Sequence, residues 1–383
     1  MHIAVVSNTC WYLFNFRLNL MLALQAAGHT VVAVAPDDVY AQRIRDAGVC
    51  FEAVPISGGG THPVRELQSV LRLGAAFRRH RVGLVLSYTP KGNLYSALAC
   101  IALRIPFVPN VSGLGRAFIR KSLVTQVAKT LYRVTFGRAH RVFFQNLDDM
   151  GVFVSGGLVR AVQAERLPGS GVDLSRFKSS PPVARAMDAP VFLLVARMLW
   201  DKGVGEYVEA ARSVRALHPG AHFQLLGFLD VANPSAIPRG QVETWTAEGV
   251  VDYLGPTDDV RPFLRQADCV VLPSYREGVP RTLLEAAATA RPVITTDAPG
   301  CRDAVIDGET GFLCRTADAH DLTDKLLRFI ALTPVARAVM GQHGRTFVEQ
   351  NFDEQQVIQR YLEVVNELVG RKIDFPLTGN CTK

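Results

Sequence analysis

The chain has 383 residues, of which 48% are hydrophobic, so it is long enough for about two domains that each bury a core. Its net charge of +7 favours an anionic partner, and nucleic acid, anionic lipid and a diphosphate ligand all satisfy that requirement. The seven cysteines are scattered without a C-x-x-C pair, which argues against a zinc site or a disulfide framework and favours a reducing compartment.

The N-terminal half alternates short apolar runs with helical patterns. The run HIAVVS predicts a first strand rather than a signal peptide. A loop is predicted from Asn8 to Phe16 and a helix from Arg17 to Ala27. Further strands are predicted at TVVAVAP, FEAVPI, VGLVLSY, PFVPNVS and VFFQN, with helices near 64–80 and 94–103. Strands that alternate with helices at this spacing predict a parallel sheet covered on both faces.

The second half repeats this architecture. RLPGSGVDLSRF, at 166–177, is rich in Gly and Ser and is interpreted as a domain boundary and hinge. Strands are predicted at VFLLVA, FQLLG, VVDYLG, CVVLPS, PVITTD and GFLC. The fold class is therefore α/β, with two Rossmann-like doubly wound domains facing each other across a cleft. We expect an N-terminal domain at 1–172, a C-terminal domain at 173–352, a helix at 353–370 that packs back on the N-terminal domain, and a tail at 371–383.

Two glutamates eight residues apart, Glu277 and Glu285, lie in the segment SYREGVPRTLLEAAATARPVITTD. A strand at Cys269–Leu272 leads into a loop with Gly278 and Pro280, and a helix then carries Glu285. The first N–H groups of a helix are unpaired and electropositive, so a phosphate or phosphosugar fits in front of them. The loop carboxylate can accept hydrogen bonds from sugar hydroxyls, and the helical one can hold a ribose diol.

Two cations, Arg197 and Lys202, follow the strand VFLLVA at the same sheet edge as Glu277. An Arg fork and a Lys point charge form a natural clamp for a diphosphate. Taken alone, such a pair is usually a solvated surface feature, and a lone Glu-x7-Glu is a weak signal. Found together after parallel strands, they favour transfer from a sugar nucleotide, in which cations stabilise the departing diphosphate.

A basic amphipathic segment, RAFIRKSLVTQVAKTLYRVTFGRAHR, points to the acceptor side. Its apolar residues, among them Val127, Leu131 and Val134, recur at helical spacing. Its first basic residues are Arg116, Arg120 and Lys121. Such a helix can lie on an anionic bilayer, and the alternative is a core-facing helix with a solvated basic side. Lys91 and Asn93, in TPKGN, are further candidates for contact with an acceptor diphosphate.

At these residues the chain resembles the retaining glycosyltransferases of family 4, which have the GT-B fold. PGSGVDLSRF resembles the family's hinge, ARMLWDKGV its phosphate-clamp motif, and the segment at 251–313 its long C-domain signature. SYTPKGNLYSALA and NVSGLGRAF resemble the branch that builds capsule, O-antigen and other polyprenyl-linked glycans.

The resemblance implies a role for each site residue. Glu277 would contact the donor sugar, Glu285 would hold the nucleotide ribose, and Arg197 and Lys202 would bind the diphosphate. The donor site would be completed by Gly278, Val279, Pro280, Arg281, Thr282 and Leu254. The implied reaction moves a hexose or N-acetylhexosamine from a UDP-sugar to a polyprenyl-diphosphate-linked saccharide, without cofactor or metal. The enzyme would be cytoplasmic and peripheral on the inner face of the cell membrane, with no nucleic-acid partner.

Three departures from the family pattern change these expectations. The first loop, SNTCWYLFNF, lacks a Gly pair, so Asn8 and Thr9 are the candidates for donor phosphate contacts there. Many members place a His after the fourth strand, where Asn110 and Ser112 stand here, and another His before Thr-Pro-Lys, where Tyr88 stands; a classical protein base from the N-terminal domain is therefore missing. A retaining transfer tolerates this loss, because the donor's own phosphate oxygen can take the acceptor proton.

Three other functions compete with this reading. A UDP-HexNAc 2-epimerase of GT-B fold would act on the sugar nucleotide alone. A nucleic-acid-binding protein is suggested only by the charge, without a stacking module or basic arm. A non-catalytic carbohydrate-binding relative would be expected to lack the intact set of two cations and two glutamates.

Overall fold

The computed structural model describes residues 1–56, 62–114, 123–183 and 189–373. The strands are β1 His2–Val6, β2 Thr30–Ala35, β3 Cys50–Ala53, β4 Leu84–Tyr88, β5 Phe107–Val111, β6 Val142–Phe144, β7 Ala164–Arg166, β8 Val191–Val195, β9 His222–Leu226, β10 Asp252–Tyr253, β11 Cys269–Leu272, β12 Val293–Thr296 and β13 Gly311–Cys314. The helices are α1 Cys10–Ala26, α2 Val39–Asp46, α3 Pro63–Arg79, α4 Pro90–Leu103, α5 Leu123–Phe136, α6 Leu147–Ser155, α7 Val204–Leu217, α8 Arg239–Ala247, α9 Arg261–Gln266, α10 Arg281–Ala288, α11 Ala319–Ala331, α12 Pro334–Asn351 and α13 Glu354–Ile373.

The strands form two sheets with crossover connections. The first has the order β3-β2-β1-β4-β5-β6-β7, and the second has the order β10-β9-β8-β11-β12-β13. The pairs β1–β2, β1–β4, β8–β9 and β8–β11 are parallel. In each sheet the order reverses beside the first strand of that half, which is the switch point of a doubly wound fold. The predicted α/β class with two Rossmann-like sheets is confirmed.

The six-stranded sheet is buried on both faces, which explains the continuous apolar runs in its strands. Phe192 and Leu194 of β8 belong to a core cluster that includes side chains of α7 and α11. Leu193, between them, belongs to a second cluster with side chains of α10 and α12. Successive side chains of a strand point to opposite faces, so each face needs its own apolar residues.

Contacts divide the chain into two units. The first holds Met1–Asn110, Val134–Val142 and the chain from Gln355 on, and the second holds Val111–Arg133 and Phe143–Glu354. In the first unit, the Asn110 side-chain amide donates to the Tyr361 hydroxyl of α13 at 3.0 Å. Each unit contains several separate segments of the chain, so the two units do not test a single boundary near residue 172, which stays a prediction.

The segment interpreted as a hinge pairs with the returning chain inside the second unit. The N–H of Val172 donates to Phe352 O at 2.8 Å, and the N–H of Glu354 donates to Val172 O at 3.1 Å. Gly171 has φ +69, and a Cβ there would overlap the backbone of Glu354. Two passages of the chain therefore lie side by side at this point, and glycine permits their approach.

Helix α1 begins at Cys10, so the loop predicted from Asn8 to Phe16 is wrong. Thr9 caps the helix, because its Oγ1 accepts the N–H of Tyr12 at 3.2 Å. The Asp38 carboxylate accepts the N–H of Cys10 at 3.1 Å. A carboxylate 28 residues away thus satisfies the Cys10 amide at the start of the helix. The aromatic residues of the segment WYLFNF therefore lie on a helix and not in a loop.

Candidate active site

The predicted donor residues follow two neighbouring strands of the second sheet. Arg197 and Lys202 come after β8, and Glu277 comes after β11. These strands pair in parallel, with Cys269 opposite Phe192. Their carboxyl ends therefore meet at one edge of the sheet, where ligands of doubly wound folds bind.

The two loops at this edge are joined through their backbones. The N–H of Tyr275 donates to Asp201 O at 3.0 Å, and the hydroxyl of Ser274 donates to the same oxygen at 3.2 Å. Gly203, with φ +71, lies so close to Pro273 that a Cβ would overlap the Pro273 carbonyl. This packing places Lys202 beside the loop that carries Glu277.

Lys202 and Glu277 form an ion pair through Nζ and Oε1. The side chain of Lys202 is 20% exposed and that of Glu277 is 14% exposed, so both remain reachable from solvent. Arg197 is exposed, and the described residues give its guanidinium no hydrogen-bond or ion-pair partner. The structure therefore brings Lys202 and Glu277 together and leaves Arg197 without a fixing contact.

Helix α10 starts directly after the Glu277 loop. Pro280 precedes it, and among the described residues no side chain caps its N-terminus. The hydroxyl of Thr282 donates to Val195 O at 3.3 Å, which ties the first turn to the end of β8. An uncapped N-terminus at this edge presents backbone donors and partial positive charge.

Glu285 lies in the second turn of α10 and pairs with Arg281 at 2.9 Å. Burial raises the pKa of the Glu285 carboxyl, and the charge of Arg281 opposes that rise. Leu254 follows the edge strand β10, and its N–H donates to Leu225 O at 2.8 Å. The ribose role of Glu285 and the donor role of Leu254 stay predictions.

The acceptor-side candidates have structural partners. Lys91 pairs with Glu66 of α3 at 2.8 Å. Asn93 is 1% exposed, its carbonyl accepts the hydroxyl of Ser87 at 2.9 Å, and its amide donates to Asn110 O at 2.8 Å. Both residues are thus bonded within the protein, and their contact with an acceptor diphosphate stays a prediction.

The other N-terminal candidates give less support to the predicted contacts. Asn8 is half-buried, and the Thr9 hydroxyl is engaged as the α1 cap. Arg116, Arg120 and Lys121 lie outside the described residues. Within the described ranges, no three His, Cys, Asp or Glu side chains come together as a metal site would require, and metal independence stays a prediction.

Sequence reasoning missed two features of the first unit. Arg17 is fully buried, with its guanidinium carbon 4.2 Å from the ring centroid of Tyr88 and its Nη2 donating to the Tyr12 hydroxyl at 3.1 Å. Thr89 has φ +66 and ψ 151, a backbone region that only glycine adopts readily. The TP dipeptide signals a turn at this strand–helix corner, but no sequence pattern signals the strain.

Sequence reasoning also missed Gln145 and Asn146, whose side chains bond to the backbone of the Glu277 loop. They are separated from that loop by about one third of the chain. Their only sequence signal is a pair of amides directly after an apolar strand.

Comparison with known proteins identifies the family of both halves. Residues 16–169 match the model of the glycosyl transferase 4-like domain, and residues 189–331 match the model of glycosyl transferases group 1. The second match contains Arg197, Lys202, Glu277 and Glu285. The resemblance stated from the motifs is confirmed.

Curated relatives include an enzyme of Campylobacter jejuni, N,N'-diacetylbacillosaminyl-diphospho-undecaprenol alpha-1,3-N-acetylgalactosaminyltransferase. It is 27% identical, and the match covers 96% of this chain and 99% of the relative. The capsular polysaccharide biosynthesis glycosyltransferase CapM of Staphylococcus aureus is 24% identical over 76% of this chain and 78% of the relative.

Solved structures share the fold over nearly the whole chain. HepE of Anabaena, solved with UDP-glucose, has a TM-score of 0.78 at 18% identity and covers 96% of this chain and 100% of its own. Sucrose-phosphate synthase of Thermosynechococcus elongatus has a TM-score of 0.77 at 20% identity and covers 97% and 100%. The fold is thus that of the GT-B enzymes, and the chain belongs to the group 1 glycosyltransferases with a family 4-like N-terminal domain.

Proposed function

We propose that this chain is a retaining glycosyltransferase that moves a hexose or N-acetylhexosamine from a UDP-sugar to a saccharide linked to polyprenyl diphosphate. The observation that carries the proposal is the ion pair of Lys202 with Glu277 at the carboxyl edge of the second sheet. It joins the predicted diphosphate cation to the predicted sugar carboxylate. The Campylobacter relative, matched over almost its full length, supports the acceptor class and makes UDP-GalNAc the first donor to test.

Charge stabilisation of the leaving group is the chemistry proposed for the two cations. Negative charge builds on the diphosphate as the glycosidic bond breaks, and a cation held nearby lowers the barrier without moving a proton. Lys202 is held by its pair with Glu277, and Arg197 is exposed at the same edge. This cation set speaks against a non-catalytic relative.

Retention of configuration is supported by the side chains that replace histidine. Tyr88 is fully buried, and burial raises the pKa of its hydroxyl well above the ordinary value. The side chain of Asn110 is buried and donates to Tyr361. Neither group can accept a proton from an incoming hydroxyl at neutral pH, and we propose that the donor's phosphate oxygen accepts that proton.

Membrane docking is proposed for the enzyme because its acceptor is lipid-linked. In α5, Val127 and Val134 are 60% and 50% exposed, whereas Leu131 between them is half-buried and Tyr132 and Phe136 are buried. Arg138 follows the same helix. Exposed valines next to basic residues are typical of helices that lie on anionic bilayers.

Helix α3 has a second surface of this kind. Val64, Leu67 and Leu71 are each more than half exposed and recur at intervals of three and four residues. Arg65 and Arg72 are exposed on the same helix. No helix among the described residues combines the length and apolar character needed to cross a bilayer. We propose peripheral attachment at the cytoplasmic face through these helices.

The experiment that tests the function is a transfer assay. Thermal shift with UDP-GalNAc, UDP-GlcNAc, UDP-glucose and UDP-galactose selects the donor, and a short-chain polyprenyl-diphosphate-linked HexNAc serves as acceptor. We expect a disaccharide whose new linkage is α by NMR, because the donor is α and configuration is retained. A β linkage would reject retention. Conversion of the UDP-sugar to its 2-epimer without acceptor would favour the epimerase instead.

A further inference from the structure

The loop that carries Glu277 is bonded to the two residues that precede α6. The Asn146 side-chain amide donates to Gly278 O at 2.8 Å and to Glu277 O at 3.2 Å. The N–H of Val279 donates to Gln145 Oε1 at 3.2 Å. Three consecutive residues of the loop are therefore bonded to two consecutive side chains of the β6–α6 junction.

An ion pair extends this connection. Asp149, in the first turn of α6, is fully buried and pairs with Arg276, the residue before Glu277. Burial raises the pKa of the Asp149 carboxyl, and the hydrogen bond from Arg276 opposes the rise. Gln145, Asn146 and Asp149 belong to the second unit, as do the residues of the Glu277 loop.

Close backbone packing completes the enclosure of the loop. A Cβ on Gly278 would overlap Ser112 O and Gln145 Oε1, and a Cβ on Gly300 would overlap the carbonyls of Glu277 and Gly278. The N–H of Glu277 also donates to Pro299 O at 3.0 Å. The loop is thus closely packed, and Ser112 O and Gln145 Oε1 leave no room for a side chain at Gly278.

We propose that Gln145 and Asn146 position the Glu277 carboxylate for sugar transfer. They act through the backbone, because their side chains bond to the carbonyls and the amide that flank the Glu277 side chain. The proposal rests on the proposed function, since it takes Glu277 as the residue that meets the donor sugar. Both side chains are at least nine-tenths buried, so their amides are committed to the protein and are not available to solvent.

Asn146 has two separable roles, which makes a discriminating test possible. Its Oδ1 caps α6 by accepting the N–H of Asp149 at 2.7 Å, whereas its Nδ2 donates to the loop. Asn146→Asp and Asn146→Ser keep a capping oxygen but remove the amide donor. Gln145→Glu keeps the acceptor for the Val279 amide, and Gln145→Leu removes it. Thr333→Ala is the matched control, because it removes an N-cap from α12 without touching the loop.

The test combines hydrogen exchange with steady-state kinetics on the full chain. We expect the amides of 277–279 to exchange at least about tenfold faster in Asn146→Ser, Asn146→Asp and Gln145→Leu than in wild type. Turnover should fall by roughly 10- to 100-fold, with KM for the UDP-sugar changed by less than about threefold. Thr333→Ala should keep wild-type exchange in the loop and wild-type turnover, and Gln145→Glu should exchange more slowly at 277–279 than Gln145→Leu, because it keeps the acceptor for the Val279 amide.

Two results would overturn the proposal. One is unchanged exchange at 277–279 in both Asn146→Ser and Gln145→Leu. The other is faster exchange in the loop with turnover still within twofold of wild type. Hydrogen exchange needs no substrate, so a wild-type protein that fails to transfer sugar would reject the proposed function and leave the loop contacts to be judged separately. Asn146→Ser decides the case if the buried charge of Asn146→Asp prevents folding.

Discussion

Replacing Glu277 with glutamine should separate binding of the diphosphate from catalysis. The Glu277 carboxylate pairs with Lys202, and both side chains are largely enclosed. A diphosphate that binds Lys202 must share the ammonium with this carboxylate and is repelled by it. Glu277→Gln removes the repulsion and keeps the shape of the side chain.

The size of this effect follows from the charges. Two unit charges about 4 Å apart interact by roughly 1 kcal/mol in water and about 4 kcal/mol at an effective dielectric constant near 20. The pair is partly exposed and salt screens it, so we take the lower end, about 1 kcal/mol. At about 1.4 kcal/mol per tenfold, Glu277→Gln should bind UDP roughly fivefold more tightly. Turnover should fall by about 10²-fold or more, because the carboxylate that meets the sugar is lost.

Isothermal titration calorimetry with UDP, repeated at two salt concentrations, measures the first effect. UDP carries no sugar, so the assay reports on the phosphate clamp alone. Glu248→Gln is the matched control, because it removes the same charge from the exposed pair with Arg212 in the same unit. UDP affinity equal to or below wild type in Glu277→Gln would refute the reasoning that Lys202 holds the diphosphate.

Three further outcomes are expected. Gly278→Ala should lower turnover by roughly 10²-fold, because the added methyl displaces the loop. Gly240→Ala is the control, because its added methyl meets open space. Equal activity of the two variants would contradict the packing argument. Burial raises the pKa of Glu285, so the folded protein keeps the carboxyl proton to a higher pH than the unfolded chain does. The protonated carboxyl therefore contributes to the free energy of unfolding at low pH, and this contribution is lost as pH rises through the raised pKa. Urea unfolding at several pH values should therefore show a weaker fall of stability with pH in Glu285→Gln, and an unchanged profile would reject the assignment. The double variant Val127→Asp/Val134→Asp should bind phosphatidylglycerol vesicles less than wild type in a flotation assay. Val335→Asp, at another exposed valine, should bind as wild type does. Equal binding by the double variant and Val335→Asp would reject the proposal that α5 contacts the membrane.

Much of the fold could be predicted because burial leaves a direct mark on the sequence. Strands such as β1 and β8 are enclosed on both faces and read as unbroken apolar runs. The crossover helices between them fix the parallel direction of the sheet. The proximity of Lys202 and Glu277 followed from the same reasoning, since both residues lie in loops that follow paired neighbouring strands.

Hydrogen bonds between residues far apart in the chain leave no such pattern in the sequence. At the start of α1, Thr9 is a local cap, but the Asp38 carboxylate that bonds the Cys10 amide lies 28 residues away. Asn146 escaped notice because its loop partners are 131 and 132 residues away. Capping and amide contacts depend on which strands become neighbours, and this is known only after the sheet order is known.

The two predicted cations, Lys202 and Arg197, differ in how firmly their side chains are held. Lys202 is held by its ion pair with Glu277, which fixes the position of its ammonium group. The exposed Arg197 has no fixing contact among the described residues, so it loses side-chain freedom when a diphosphate binds. Preorganised charge stabilises a transition state without further rearrangement, whereas a flexible cation contributes less because ordering it opposes the gain. We therefore propose that Lys202 would carry the larger share of leaving-group stabilisation, and that Arg197 would add to the clamp once a diphosphate had ordered its side chain.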